Sequence, residues 1–278
     1  MKKILVATDF SEHADYAVKS AVSLAKKIGA KLILLHVINR PLNADDDSYE
    51  GYHNMPGGKL FVNNIQKKLE AIVKKYEIKD VDIFYELRYD VFKTILKYAD
   101  RHKVFLIVIG AFGSSGAKSL FIGSNTERVM LQAKMPVLIV KEEFKESNIE
   151  NIVFASEFYG AVFKIFPKIK NVMDLFQSNI HLLKVNTPGK FQRTHDSMKE
   201  MSAFCSKFTL GKCTKNIYND LTVEDGIMNF TQAIDADLIA ITPDGFWRLA
   251  HLFNKNITTE LMKKSVRLVL SMRTGKFD

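Results

Sequence analysis

Residues 104–140 read VFLIVIGAFGSSGAKSLFIGSNTERVMLQAKMPVLIV, and the order of residue types in this stretch decides the fold. The apolar run 104–109 ends in Gly110, with Gly113 close behind. Gly123-Ser124-Asn125 then opens a helical pattern over 125–133, and residues 135–140 are apolar again. A strand, a glycine loop, a helix and a second strand account for that layout. Glycine lets backbone come close to a bound group, and a helix N-terminus offers unpaired N–H groups and the positive end of a dipole. The stretch is therefore suited to hold a phosphate.

Working outward, residues 4–7 form a short apolar strand ending at Thr8-Asp9. Ser11 is a fair N-cap for a helix whose apolar positions are Ala14, Ala17, Val18, Ala21, Val22, Ala25 and Ile28, and Gly29 stops it. Residues 31–38 are a second buried strand, followed by a long polar loop over 39–58 that contains Asp45-Asp46-Asp47. Residues 60–76 read as a helix, 81–87 as a strand and 91–101 as a helix, after which the opening stretch begins. Strands alternating with helices imply right-handed crossovers and a parallel sheet covered on both faces.

The second half of the chain repeats the first. A shift of 148 residues sets Ile4-Leu5-Val6-Ala7-Thr8-Asp9-Phe10 on Ile152-Val153-Phe154-Ala155-Ser156-Glu157-Phe158. Beyond the middle of each half the shift becomes 132, matching Ile95 with Ile227, Leu106 with Leu238, Gly113 with Gly245 and Val137-Leu138 with Val269-Leu270. The difference of 16 residues (148 − 132) assigns the extra length to the loop at 39–58. The charged segment KEEFKESNIE at 141–150 reads as a linker, dividing the chain into units 1–145 and 146–278. Pro167 aligns with Lys19, inside the first helix. An interior proline costs about 3 kcal/mol, so the matching helix is expected to start late, near Pro167, or to kink there.

Composition narrows the function classes. The 278 residues are 47% hydrophobic and 26% charged, as in an ordinary globular protein. No apolar run approaches the roughly 20 residues that span a bilayer, so no membrane is expected and the location expected is cytoplasmic. The net charge of +9 comes from lysines dispersed along helices in pairs such as Lys26-Lys27 and Lys74-Lys75. No helix-turn-helix, zinc-finger or aromatic RNA-binding signature accompanies them, so no nucleic-acid partner is expected. The only two cysteines, Cys205 and Cys213, lack metal-site spacing and read as free thiols.

In an open parallel sheet, ligands bind beyond the carboxyl ends of the strands where the strand order reverses. That selects Asp9, Val37 and the segment 110–125. Asp9 is able to accept hydrogen bonds from a base or ribose, or to serve only as a local cap. Val37 can read an adenine edge through its backbone, or be a core valine. The glycine segment has neither the Walker A pattern nor G-x-G-x-x-G. Ser124, Asn125 and Thr126 put hydroxyl and amide donors on a helix's first turn, to supplement backbone N–H groups around a phosphate or simply to cap.

At Val6-Ala7-Thr8-Asp9, at Gly110-x-x-Gly113 followed after nine residues by Gly123-Ser124, and at Met135-Pro136-Val137-Leu138-Ile139-Val140, the chain resembles the universal stress protein family. The resemblance spans both halves and implies a tandem member: α/β, with two Rossmann-like (adenine nucleotide alpha hydrolase-like) domains. Each has a five-stranded, mostly parallel sheet with helices on both faces, and the two pair through their closing strands as a pseudo-dimer. It further implies a regulatory stress-response protein whose first domain binds ATP, with or without Mg²⁺. The residues so implied are Ala7, Asp9, Val37, Ile109, Gly110, Gly113, Gly123, Ser124, Asn125 and Thr126. Phe112 replaces a basic or His residue common in the family, and Phe105 an Asp that the second half retains as Asp237. In that second half Thr242, Lys255, Asn256 and Glu157 stand for Gly110, Gly123, Ser124 and Asp9, and no ATP binding of the family kind is expected there. The loop at 39–58 reads as a lid or a metal-assisting acidic patch, or as a solvated loop. No reaction is assigned. Slow ATP hydrolysis or phosphate transfer, with Asp9 and Lys118 as its candidate groups, and a nucleotide-free interaction scaffold are the alternatives. A further homodimer has no specific residue behind it.

Overall fold

A computed structural model describes residues 1–39, 58–88, 90–113, 123–143, 149–210, 212–242 and 268–273. The first half contains β1 (Lys3–Ala7), α1 (Glu12–Ile28), β2 (Lys31–Asn39), α2 (Gly58–Lys75), β3 (Val81–Arg88), α3 (Val91–Arg101), β4 (Leu106–Gly110), α4 (Ser124–Gln132) and β5 (Val137–Val140). The second half contains β6 (Asn151–Ala155), α5 (Val162–Met173), β7 (Asn179–Asn186), α6 (Thr194–Phe208), β8 (Cys213–Asn219), α7 (Val223–Ala233), β9 (Leu238–Ile241) and β10 (Leu268–Ser271). The long loop with its three aspartates, the boundary at 145/146, Lys118, Lys255 and Asn256 all lie outside the described residues. None of the described helices is long and apolar enough to cross a membrane.

The strands form one ten-stranded sheet in the order β3-β2-β1-β4-β5-β10-β9-β6-β7-β8. Within each half every pairing is parallel, and the register repeats with the sequence. Ile4 faces Leu32 and Leu106, while their equivalents Ile152, Ile180 and Leu238 face one another in the same way. Val81 faces Leu32 as Cys213 faces Ile180. The halves meet where β5 and β10 pair antiparallel, with Leu138 opposite Leu270. Those two leucines are also equivalents under the shift of 132, so the two-fold relation between the halves passes through this pair.

Alternating side chains of the strands feed two cores. Ile4, Val6, Leu32, Leu138, Phe154 and Leu270 face α1, α2, α5 and α6, whereas Leu5, Ile33, Ile107, Ile139, Val153 and Val269 face α3, α4 and α7. Both sets run through both halves. Ser11 caps α1 by accepting the Ala14 N–H through its hydroxyl, and Gly29 closes the helix in a left-handed conformation at φ 61°.

The second half's first helix starts two positions later than α1 does, but not as late as Pro167. Helix α5 begins at Val162 and runs through Pro167. Proline removes one helical donor there, but Ile165, Phe166, Ile169 and Val172 are all at most 1% exposed, each contributing about 1.5–3 kcal/mol. Phe166 also packs on Phe154, Phe204 and Phe208 with ring centroids 4.5–4.8 Å apart. Apolar burial on that face outweighs the cost of the proline.

The exchange of Asp237 for Phe105 has a local explanation. Asp237 Oδ2 accepts the N–H groups of Glu150 and Asn151 at 2.9 and 3.1 Å, fixing the chain where it enters β6. In the first half the Lys2 ammonium sits 4.4 Å from the centre of the Phe105 ring instead. Both arrangements tie the residue before the sheet strand to the start of its neighbour.

Candidate functional site

The order β3-β2-β1-β4-β5 reverses direction between β1 and β4, so the crevice lies beyond the ends of these two strands. Two turns of the chain build its walls. After β1, Phe10 adopts a left-handed φ of 65° and its N–H donates to the Thr8 hydroxyl at 3.1 Å. The equivalent corner recurs in the second half, where Phe158 (φ 58°) donates to Ser156 at 3.2 Å. This turn exposes Asp9, whose Oδ1 accepts from the Ser11 N–H at 3.0 Å and the Ser11 hydroxyl at 2.6 Å. Asp9 is thus tied to the cap of α1.

After β4, Ala111 N–H donates to Val140 O at 2.8 Å, and Gly123 N–H returns to Ala111 O at 3.0 Å. The glycine segment therefore leaves and re-enters at one point, and Gly113 and Gly123 are neighbours. Gly113 also lies against Asp9, since a Cβ on it would be 2.8 Å from Asp9 Oδ2. The structure brings Asp9, Gly113, Gly123 and the first turn of α4 together at the crevice.

The three glycines are glycine for different reasons. A Cβ on Gly110 would lie 2.7 Å from both the carbonyl carbon and oxygen of His13, so this residue lets α1 rest directly on β4. Its lack of a side chain is already required by this helix packing. Gly123 differs: its φ of −58° suits any residue, and a Cβ there would meet nothing closer than 3.6 Å. Nothing among its described neighbours requires glycine.

Helix α4 begins without a side-chain cap. Its first helical hydrogen bond runs from Glu127 N–H to Gly123 O at 3.0 Å, leaving the N–H groups of Ser124, Asn125 and Thr126 outside the helical ladder. Ser124 is exposed and Asn125 half-buried. Thr126 is 5% exposed and its hydroxyl donates to Gly110 O at 2.9 Å, so that side chain braces the strand end instead of facing the crevice. Ile109 is likewise a core residue, 6% exposed.

On the other side of β1, Thr8 N–H donates to Leu35 O at 2.9 Å. Backbone groups two residues apart in a strand point to the same neighbour, so half-buried Val37 directs its N–H and C=O past the end of β1. Ala7 is half-buried at the end of β1.

Sequence reasoning missed four nearby side chains. His36 Nδ1–H donates to Thr8 O at 2.7 Å, and the ring lies 4.5 Å from that of Phe10. Burial holds the His36 pKa below its ordinary value, against the opposing pull of the Thr8 carbonyl. The Lys68 ammonium reaches over Phe10 at 5.1 Å from α2, a cation that no spacing in the sequence announces. His13 packs on Phe112 at 4.9 Å and its Nδ1 contacts Lys141 O at 2.9 Å. The aromatic character of Phe112 is thereby used against α1.

In the second half Lys184, equivalent to His36, is 4% exposed. It lies 3.8 Å from Glu157, 2.8 Å from Glu200 and within hydrogen-bond reach of Gln192. The carboxylate equivalent to Asp9 thus lies within ion-pair distance of a buried ammonium that Glu200 holds more closely. Thr242, at the position of Gly110, is 1% exposed, and α5 starts at Val162, two positions past Gly160, the equivalent of Glu12.

The universal stress protein family matches residues 1–141. One universal stress protein of Methanocaldococcus jannaschii is 32% identical over 161 residues, covering 51% of this chain and 96% of the relative. Another from the same organism is 31% identical over 150 residues, covering 52% and 85% respectively. The crystal structure of a universal stress protein from Archaeoglobus fulgidus aligns with 99% of this chain and 97% of its own, with a TM-score of 0.72 at 19% identity, a likeness of fold. Single-domain relatives thus correspond to one half and a two-unit fold to the whole. On its matched first half and the identity of these relatives, the chain belongs to the universal stress protein family.

Proposed function

We propose that the first half binds one adenine nucleotide, ATP, in the crevice beyond β1 and β4, and that occupancy acts as a conformational signal in a cytoplasmic stress response. The observation that carries this reading is the start of α4. A helix N-terminus with no side-chain cap, entered through a glycine that neither φ nor local space demands, leaves room and donors for a phosphate. Gly113 and Gly123 let the phosphates approach, and Ser124 and Asn125 add side-chain donors. Asp9 takes the ribose or base, and the Val37 backbone reads the adenine edge past the end of β1. Ala7, Ile109, Gly110 and Thr126 act by shaping the floor. Mg²⁺ accompanies ATP through its phosphate oxygens.

The units 1–145 and 146–278 divide the work. With Glu157 within ion-pair distance of Lys184, the second unit serves as a structural partner and binds no ATP in this manner. Denaturing the purified full-length chain and identifying the released small molecule by mass spectrometry tests the proposal, together with calorimetric titration. One ATP site per chain is expected. Absence of co-purified nucleotide together with no heat on titrating ATP, ADP or AMP would refute it.

A further inference from the structure

Cys205 lies on α6, and Cys213 opens β8 after a turn in which Thr209 takes a left-handed φ of 46°. The turn folds the strand back against the helix and brings the two sulfurs to 3.5 Å. Both cysteines are free and half-buried. Closing the gap to the about 2.05 Å of a disulfide needs a movement within the reach of side-chain rotation. Lys215, on the same side of β8 as Cys213, donates to Ser202 Oγ on α6 at 3.0 Å, so an ammonium borders the pair. The two cysteines are far apart from the nucleotide crevice in the strand order, since β8 is the outer strand of the sheet.

We propose that Cys205 and Cys213 form a redox modification site, in which a hydroperoxide converts the thiol pair to an intramolecular disulfide that staples α6 to the edge strand β8. The first sulfur, as thiolate, attacks the terminal peroxide oxygen; the O–O bond breaks, an alcohol or water leaves, and a sulfenic acid remains. The second sulfur then attacks the sulfenic sulfur, displacing hydroxide, which leaves as water with the second thiol's proton. Two thiols are oxidised by two electrons, and the hydroperoxide is reduced to an alcohol and water. Burial, reinforced by the hydrogen bond with Cys213, pushes the Cys205 thiol up to about 11. Both sulfurs are half-buried and in contact, so whichever meets the hydroperoxide first is resolved by the other.

The staple has a structural target. Helix α6 supplies Glu200, which holds Lys184 at 2.8 Å and accepts from Gln192 at 3.0 Å. Fixing α6 to β8 fixes one side of the polar network at the ends of β6 and β7.

The test treats the reduced full-length protein with hydrogen peroxide and measures intact mass without reductant. Loss of two hydrogens is expected, reversed by dithiothreitol and absent in Cys213→Ser. Lys207 and Lys212 lie between the cysteines, so tryptic digestion should yield two peptides joined by the 205–213 link. Hydrogen exchange of the β8 amides should slow on oxidation of the wild type. Recovery of both cysteines as thiols, as separately oxidised acids or only in intermolecular links would overturn the proposal. Unchanged β8 exchange in a chain carrying the link would overturn the staple. The wild-type peptide map decides the chemistry even if a variant folds poorly.

Discussion

Asp9 Oδ2 lies 2.8 Å from the point that a Cβ would occupy on residue 113, so the side chain of one wall of the crevice sets the residue type of the other. The carboxylate is exposed and can shift, which makes Gly113→Ala cheap for the fold and costly for a ligand that needs Asp9 in place. Gly113→Ala should lower ATP affinity about tenfold with a stability change within about 0.5 kcal/mol. The loss should be strongly non-additive with Asp9→Ala. Calorimetry on the single and double variants reads this coupling, and additive losses would show that the two residues act separately.

Gly123 separates binding from stability more cleanly. Its φ is ordinary and its surroundings open, so Gly123→Ala should leave the fold unchanged or more stable by about 0.5 kcal/mol, through a less flexible unfolded chain. The same methyl at the mouth of α4 should weaken ATP binding about tenfold. Thermal melts and titrations of one preparation check both halves of the expectation. Undiminished affinity would mean that no phosphate approaches this residue.

Gly110→Ala should behave in the opposite way. The added methyl meets backbone of α1 at 2.7 Å, and backbone cannot rotate aside. A loss of about 1–3 kcal/mol in denaturant unfolding is expected, with or without nucleotide.

Acid should act through His36. Burial lowers its pKa in the folded chain, whereas the unfolded chain has the ordinary value of about 6.5. Above that value both states are neutral. As pH falls through it, the unfolded state takes up the proton first, and stability is lost until the folded-state pKa is passed. Melting temperature should therefore drop between pH 7.5 and 5, and drop less in His36→Gln. Equal drops in the two proteins would assign the acid sensitivity to other groups, such as His181, also depressed by burial.

The repeat made most of the fold legible, because equivalents under the two shifts turn up in equivalent registers, from Ile4 and Ile152 to Val81 and Cys213. Helix ends were legible where capping chemistry is local, as at Ser11 and Gly29. What the sequence left unseen was anything decided by contacts between residues distant in sequence. Pro167 was outweighed by packing of Phe166 on Phe204 and Phe208. Gly110 answers to the backbone of His13, and Thr126 to the carbonyl of Gly110. Periodicity carries no sign of such contacts. The proximity of Cys205 and Cys213, eight residues apart, is local but carried by no spacing rule that the sequence announces.

The Leu138–Leu270 pair settles a question of stoichiometry. Two separate copies of a half would meet at this edge by second-order association, like with like. Here the meeting edge of the first half is permanently occupied by the second, at an effective concentration set by the chain itself. Two intact crevices consequently never share one sheet through β5. Under the single site proposed for each chain, nucleotide binding is expected to be non-cooperative, and among the described strands β3 and β8 are the outer ones open to a further partner.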